Sequence, residues 1–300
     1  MADKIPVLFD TDIGSDIDDA LCLAYLLHQE RCDLLGITTV SGEPVKRAML
    51  ADAVCKAAGR SGIPIHAGCE KPLLIDQKQP LAPQAEILGR WPHREDFEPN
   101  SAVQFLRDTI RSRPGEITLL AVGPLTNIGM LFRLDPEIPS LLKELVLMGG
   151  AFSFPLEDIP MPLEWNIIVD PHAASIVFSA EDLPITAIGL DVTTKCVMLA
   201  DECRRKIRGG VLDVVADAAE VWFKIRPAIT FHDPLAAVAM FDPDVVSYEQ
   251  GRVRVELASE DLKGMTVFTP DGEKGRHKVA REVDPDRFFA EYFKVAGKDS

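Results

Sequence analysis

Apolar residues along this chain fall into short continuous runs, separated by longer stretches in which they recur every three or four positions. The runs Ile5–Phe9, Leu34–Val40, Ile63–Ala67, Ile117–Val122, Glu144–Met148 and Pro184–Leu190 predict strands covered on both faces. The periodic stretches Ala20–His28, Lys46–Ala58, Ser101–Arg111, Leu125–Phe132 and Pro171–Ser179 predict the helices between them. This alternation is the βαβ signature of an α/β fold with a mainly parallel, Rossmann-like central sheet flanked by helices. Ligands of such folds gather at the carboxyl ends of the strands. Residues 68–100 break the pattern with Pro72, Pro80, Pro83, Pro92 and Pro99 among polar residues, which predicts a long excursion, a candidate lid. Residues from about Asp201 to Arg226 read as helical, and Arg252–Leu257 with Met265–Thr269 as a late strand pair. No repeat, low-complexity tract or linker divides the chain, so one domain over residues 1–300 is expected.

Composition narrows the partners. A hydrophobic content of 47% supports a substantial core, and the formal net charge of −15 disfavours nucleic acid and anionic membrane surfaces, which need clustered Lys and Arg. A small neutral or cationic ligand, or a metal ion, fits better. No apolar run approaches the roughly 18 residues of a membrane span. The start "MADKIPVLFDTD" lacks a signal pattern, so a cytoplasmic location is expected. The six cysteines have no C-x-x-C spacing and read as reduced, buried small hydrophobes.

The candidate chemistry begins where the first strand ends. In "DTDIGSDIDDA", Asp10, Asp12, Asp16, Asp18 and Asp19 crowd into one strand-to-helix turn that Gly14 permits. Asp18 alone would be explained as a helix cap. Five carboxylates together repel and raise one another's pKa unless a cation sits among them. All-oxygen ligands point to Ca²⁺ or Mg²⁺ rather than Zn²⁺, no His/Cys cluster competes, and the loop lacks EF-hand spacing. "ITFHDPLAAVAMF" places His232 and Asp233 ahead of an apolar helix, where they can complete the same site.

With these residues the chain resembles the calcium-dependent nucleoside N-ribohydrolases of the inosine–uridine-preferring type. The resemblance runs over about residues 4–295, through "DTDIGSDIDDA", "AVGPLTNIGM", "LVLMGGAF", "LEWNIIVDPHAA" and "FHDPLAAV" in the family's order. It implies a hydrolase that releases base and ribose from ribonucleosides, as in purine and pyrimidine salvage, and a homodimer or homotetramer. It further implies that Asp12, Asp19, Asp233 and the main-chain carbonyl of Val122 hold Ca²⁺, with Asp10 orienting Asp12 or a loop amide. Asp18 matches the base that takes a proton from calcium-bound water. His232 matches the acid that protonates the leaving base, and Glu164, Asn166 and Met148 line the sugar. Trp222 or Phe223 can stack on the base, and Asp170 is either a helix cap or a direct contact. An anionic pocket suits an oxocarbenium-like ribosyl cation, and one base without a second carboxylate partner implies direct displacement by water with inversion.

The chain departs from the family pattern in three places. The extra "SDI" lets Asp16 replace Asp18 as base or join the ion, Glu43 stands where relatives carry a sugar-touching Asn and can contact a ribose hydroxyl or crowd it, and "PQAEILGRWPH" replaces the usual His-Gly loop. Two other functions are compatible with these motifs. One is a catalytically weak or silent ribosyl-binding homologue. The other is a haloacid-dehalogenase-like phosphatase, suggested by "FDTDIGSD" but lacking the later G-D-x-x-x-D motif.

Overall fold

Val7 and Phe9 pack on one face of the first strand, β1 (Ile5–Thr11), and Leu8 on the other, all fully buried, as a central parallel strand requires. The computed structural model describes residues 4–153, 162–272 and 275–297. It continues with β2 (Cys32–Thr39), β3 (Ile65–Ala67), β4 (Thr118–Ala121), β5 (Glu144–Met148), β6 (Ile185–Ile188), β7 (Val197–Leu199), β8 (Ala228–Thr230), β9 (Val246–Val255), β10 (Thr266–Pro270) and β11 (His277–Val283). The sheet order is β10-β9-β11-β6-β5-β4-β1-β2-β3. From β3 to β6, and on to β11, neighbours are parallel, while β9 runs antiparallel to both β11 and β10. β7 and β8 form a separate antiparallel pair. The result is a single α/β domain with a mostly parallel sheet.

The parallel order β3-β2-β1-β4-β5-β6 reverses direction of growth between β1 and β4, and a doubly wound sheet opens its ligand crevice at that reversal, beyond the carboxyl ends. There Asp10 of β1 stands beside Ala121 of β4, and the Val122 N–H donates to the Asp10 carbonyl at 2.8 Å.

The six expected strands and five expected helices all form, with ends shifted by no more than two residues. The shifts matter at the turn, because β1 extends through Asp10 and the first helix begins at Asp18. The 201–226 stretch is two helices, Ala200–Lys206 and Leu212–Trp222, parted near Gly209 and Gly210, whose φ values of 82° and 55° suit glycine.

β11 and the helix Pro285–Ala296 are not evident in the sequence pattern. β11 mixes Lys278, Arg281 and Glu282 with its apolar residues and is held by its slot between β6 and β9. The helix inserts Phe288 and Tyr292 against Phe231, and the Tyr292 hydroxyl donates to the Leu21 carbonyl at 3.0 Å. It thereby seats both helices that carry site residues, Asp18–His28 and His232–Phe241.

Residues 68–100 form the expected excursion with one short 3₁₀ helix, Pro83–Arg90. A swinging lid would carry few fixed contacts. This segment instead is stitched down: Gly42 N–H and the Ser41 hydroxyl donate to the Gln79 carbonyl, Arg47 to that of Leu81, and the Gln84 N–H to that of Gly14. It is a fixed wall of the crevice. All six cysteines are free; Cys69 is half-buried and the others buried. Among the described residues no helix is long and apolar enough to cross a membrane.

Candidate active site

β1 alternation sends Asp10 to the Leu8 face and Thr11 to the opposite one. Asp10 is fully buried, and its Oδ2 accepts from the Thr38 hydroxyl (2.5 Å) and the Asn127 side-chain amide (2.7 Å). Asn127 Oδ1 in turn accepts the Cys69 N–H at 2.9 Å. Asp10 therefore braces β2 and the root of the excursion rather than Asp12, and burial pushes its carboxyl up to about 7.

Beyond β1 the chain turns at Gly14 (φ 117°) and enters the helix with Asp18 and Asp19 in its first turn. Carboxylate oxygens of Asp18, Asp19 and Asp233 all lie within 4.8 Å of one another, and all three residues are buried. The Asp233 N–H donates to Asp18 Oδ2 at 3.0 Å, and the Thr11 hydroxyl donates to Asp19. Asp12 lines the same cavity against Gly123, where a Cβ would stand 2.8 Å from Asp12 Oδ1. Burial raises the carboxyls of Asp12, Asp18, Asp19 and Asp233, and repulsion from neighbouring aspartates raises the last three further.

Arg47, fully buried, gives partial relief. It donates to the carbonyls of Gly42 (2.8 Å), Ile13 (3.2 Å), Leu81 (3.0 Å) and Asp12, fixing three loops while its field favours ionised Asp12 and Asp19. A cluster of buried, mutually repelling oxygens of this kind fits a hard cation.

The cluster floors a cavity of about 620 Å³. Val122, Met148, Glu164, Asn166, Trp222 and His232 line it, as does Asp16. The Asn166 side-chain amide donates to the carbonyls of Val122 (2.7 Å) and Met148 (3.1 Å). Glu164 caps the helix Trp165–Val169, accepting the N–H groups of Asn166, Ile167 and Gly150, and burial raises it to about 7. His232 Nδ1 lies 2.7 Å from the Thr193 hydroxyl, and burial lowers the imidazole to about 4. The Trp222 indole donates to the Ala228 carbonyl at 2.9 Å.

Asp16 lies outside the group of three whose oxygens approach one another but is tied to it by charge. Its Oδ1 accepts the N–H of Ile17 at 2.6 Å, burial pushes its carboxyl up to about 7, and its charge helps raise Asp18, Asp19 and Asp233. Other residues read from the sequence lie off the cavity wall. Glu43 neither lines nor crowds it: from a left-handed φ of 57° its carboxylate turns to the Ala82 N–H (2.9 Å) and the Lys46 ammonium (2.5 Å), holding the excursion. Asp170 is a cap, accepting the Ala173 N–H (3.0 Å) and also those of Leu73 and the Thr126 hydroxyl, each at 2.8 Å. Phe223 packs under the Arg204 guanidinium instead.

Sequence reasoning missed Gln79, Leu81, Trp165, Ile225 and Arg226, all on the cavity wall. Leu81, Trp165 and Ile225, 61%, 48% and 66% exposed, make an apolar rim. Trp165 was within reach, since it sits between Glu164 and Asn166 in "LEWN"; Gln79, in a polar, proline-rich loop, carries no sequence signal.

A family model described as inosine-uridine preferring nucleoside hydrolase matches residues 7–290. The inosine-uridine preferring nucleoside hydrolase of Leishmania major is 33% identical, over 94% of each chain. A probable uridine nucleosidase 2 of Arabidopsis thaliana is 32% identical, over 89% of this chain and 87% of its own. A solved plant nucleoside hydrolase superposes with a TM-score of 0.84 at 27% identity, covering 98% of this chain and 99% of that one.

Proposed function

Because the chain belongs to the inosine-uridine preferring nucleoside hydrolase family, and so is a glycosidase of ribonucleosides, we propose how its residues divide that work. Asp12, Asp19, Asp233 and the Val122 carbonyl hold a Ca²⁺ ion; Asp18 takes the proton of the attacking water; His232 serves the leaving base. The observation that carries this reading is the buried group Asp18, Asp19 and Asp233 opening into the cavity at the β1/β4 reversal. When bound, the ion supplies positive charge that relieves carboxylate repulsion, orients the sugar's vicinal hydroxyls and acidifies water.

The protein supplies the rest. Glu164 keeps its carboxylate aimed by three main-chain amides, and Asn166 commits both of its amide N–H groups to two carbonyls and presents Oδ1, so a sugar hydroxyl meets two fixed acceptors. The apolar rim with Trp222 suits a flat base. In the tautomer whose Nδ1 accepts from the Thr193 hydroxyl, His232 carries its proton on Nε2 and can donate it to the base, where a hydrogen bond grows as negative charge develops. Asp10, the residue a phosphatase would use as nucleophile, is sealed beneath Thr38 and Asn127 away from the cavity.

A panel of purine and pyrimidine ribonucleosides assayed for released ribose, with and without chelator, tests the proposal. Turnover lost on chelation and restored by Ca²⁺ is expected. Ca²⁺-dependent ligand binding without turnover would identify a silent ribosyl-binding protein instead. For His232, the leaving group is the discriminant: His232→Ala should depress kcat for inosine or uridine by about 10²-fold, yet leave p-nitrophenyl riboside within a few-fold, because nitrophenolate departs without a proton. Equal losses on both substrates would make His232 a packing partner of Asp233.

A further inference from the structure

Gln79 comes from the middle of the excursion, 67 residues from Asp12 in sequence, yet its side-chain amide donates to Asp12 Oδ2. Its carbonyl oxygen accepts the Trp165 indole N–H, 86 residues away. The orientation of this amide follows from chemistry: a carboxylate only accepts and an indole only donates, so nitrogen must face Asp12 and oxygen must face Trp165. Gln79 is 8% exposed, and its main chain is pinned as well. Its carbonyl accepts from Gly42 N–H (3.1 Å) and the Ser41 hydroxyl (3.3 Å), while its N–H donates to Gln77 Oε1 at 2.8 Å. A Cβ on Gly42 would fall 2.3 Å from the Pro80 carbonyl oxygen, so the loop can approach only a glycine.

Building on the ion site proposed above, we propose that Gln79 is a positioning residue for Asp12, and that Trp165 acts on Asp12 through it. The amide occupies one carboxylate oxygen and leaves Oδ1 to meet a cation. A glutamate in that place would set charge against charge. Trp165, part of the exposed rim, is thereby joined to the floor of the site by one hydrogen-bond relay, so the wall that receives substrate and the ligand that holds the ion are set together.

The test is Ca²⁺ affinity measured by calorimetry on chelator-stripped protein, independent of turnover. Removing a hydrogen-bond partner of a metal ligand costs on the order of 10- to 100-fold in affinity. Gln79→Met, which keeps length and bulk, should weaken Ca²⁺ binding about 10-fold or more with little change in melting temperature. Trp165→Phe, which keeps the ring but not the donor, should weaken it by a few-fold although Trp165 touches no ligand. The double variant should match Gln79→Met within about two-fold, since coupled partners are not additive. Parent-like affinity in Gln79→Met, or in Trp165→Phe if the former fails to fold, overturns the proposal. Additive losses overturn the relay. A parent that binds no Ca²⁺ overturns the ion site itself, and this inference with it.

Discussion

Asp12→Ala, Asp19→Ala and Asp233→Ala are each expected to lose tight Ca²⁺ binding and nucleoside hydrolysis together. Each removes an anion from a buried cluster, and a cation's charge stabilisation is worth several kcal/mol in such a site. At about 1.4 kcal/mol per decade, turnover should fall on the order of 10³-fold. The stability of the ion-free protein should move differently. Repulsion already burdens Asp19 and Asp233, so their removal should leave melting in chelator unchanged or higher. Ca²⁺ at about 100 times its Kd should stabilise the parent by about 2.7 kcal/mol and none of the variants. A variant with full ion occupancy and normal turnover would remove that residue from the ligand set.

Buried carboxyls beside the cluster add a pH dependence. Burial raises Asp10 and Glu164 from 3.8 and 4.5 to about 7 in the folded chain, so folding favours their protonated forms. That contribution is complete below about pH 4 and is lost as the pH rises to about 7. Buried His232 and His277, lowered to about 4, act the other way. The raised Asp12, Asp18, Asp19 and Asp233 add to Asp10 and Glu164 and outnumber them, so melting in chelator should fall between pH 5 and 7, and Ca²⁺ should raise it more at pH 7 than at pH 5. A chelated protein that melts higher at pH 7 than at pH 5 would contradict this.

Asp18→Asn should keep the ion and lose turnover by about 10²-fold or more, the scale of a missing general base. The amide oxygen can still accept the Asp233 N–H that Asp18 Oδ2 accepts at 3.0 Å, so the loop should hold its shape. Asp16→Asn is the comparison: the Asp16 carboxylate accepts the N–H of Ile17 and lies apart from the close group of Asp18, Asp19 and Asp233. Its charge acts on all three, so a smaller loss than in Asp18→Asn is expected. Loss of the ion in Asp18→Asn would make Asp18 a ligand, as its closeness to Asp19 and Asp233 allows. A dead Asp16 variant beside an active Asp18 variant would move the base to Asp16.

By itself the sequence determined the alternation from β1 to β6, because burial on both faces forces continuous apolar runs and each crossover helix repeats with its own period. It also determined the acidic turn and the order of motifs, since these lie in contiguous residues. Only the tertiary structure decided which carboxylates meet. Asp10 and Asp12 differ by two positions, yet one is sealed against Asn127 and the other lines the cavity, because β1 ends between them. Glu43 turns to the Ala82 N–H and Gln79 reaches Asp12 across 39 and 67 residues. β11 is a strand because β6 offers an edge. Contacts between residues so far apart depend on where two segments are brought in space, and local hydrophobic periodicity contains no record of that.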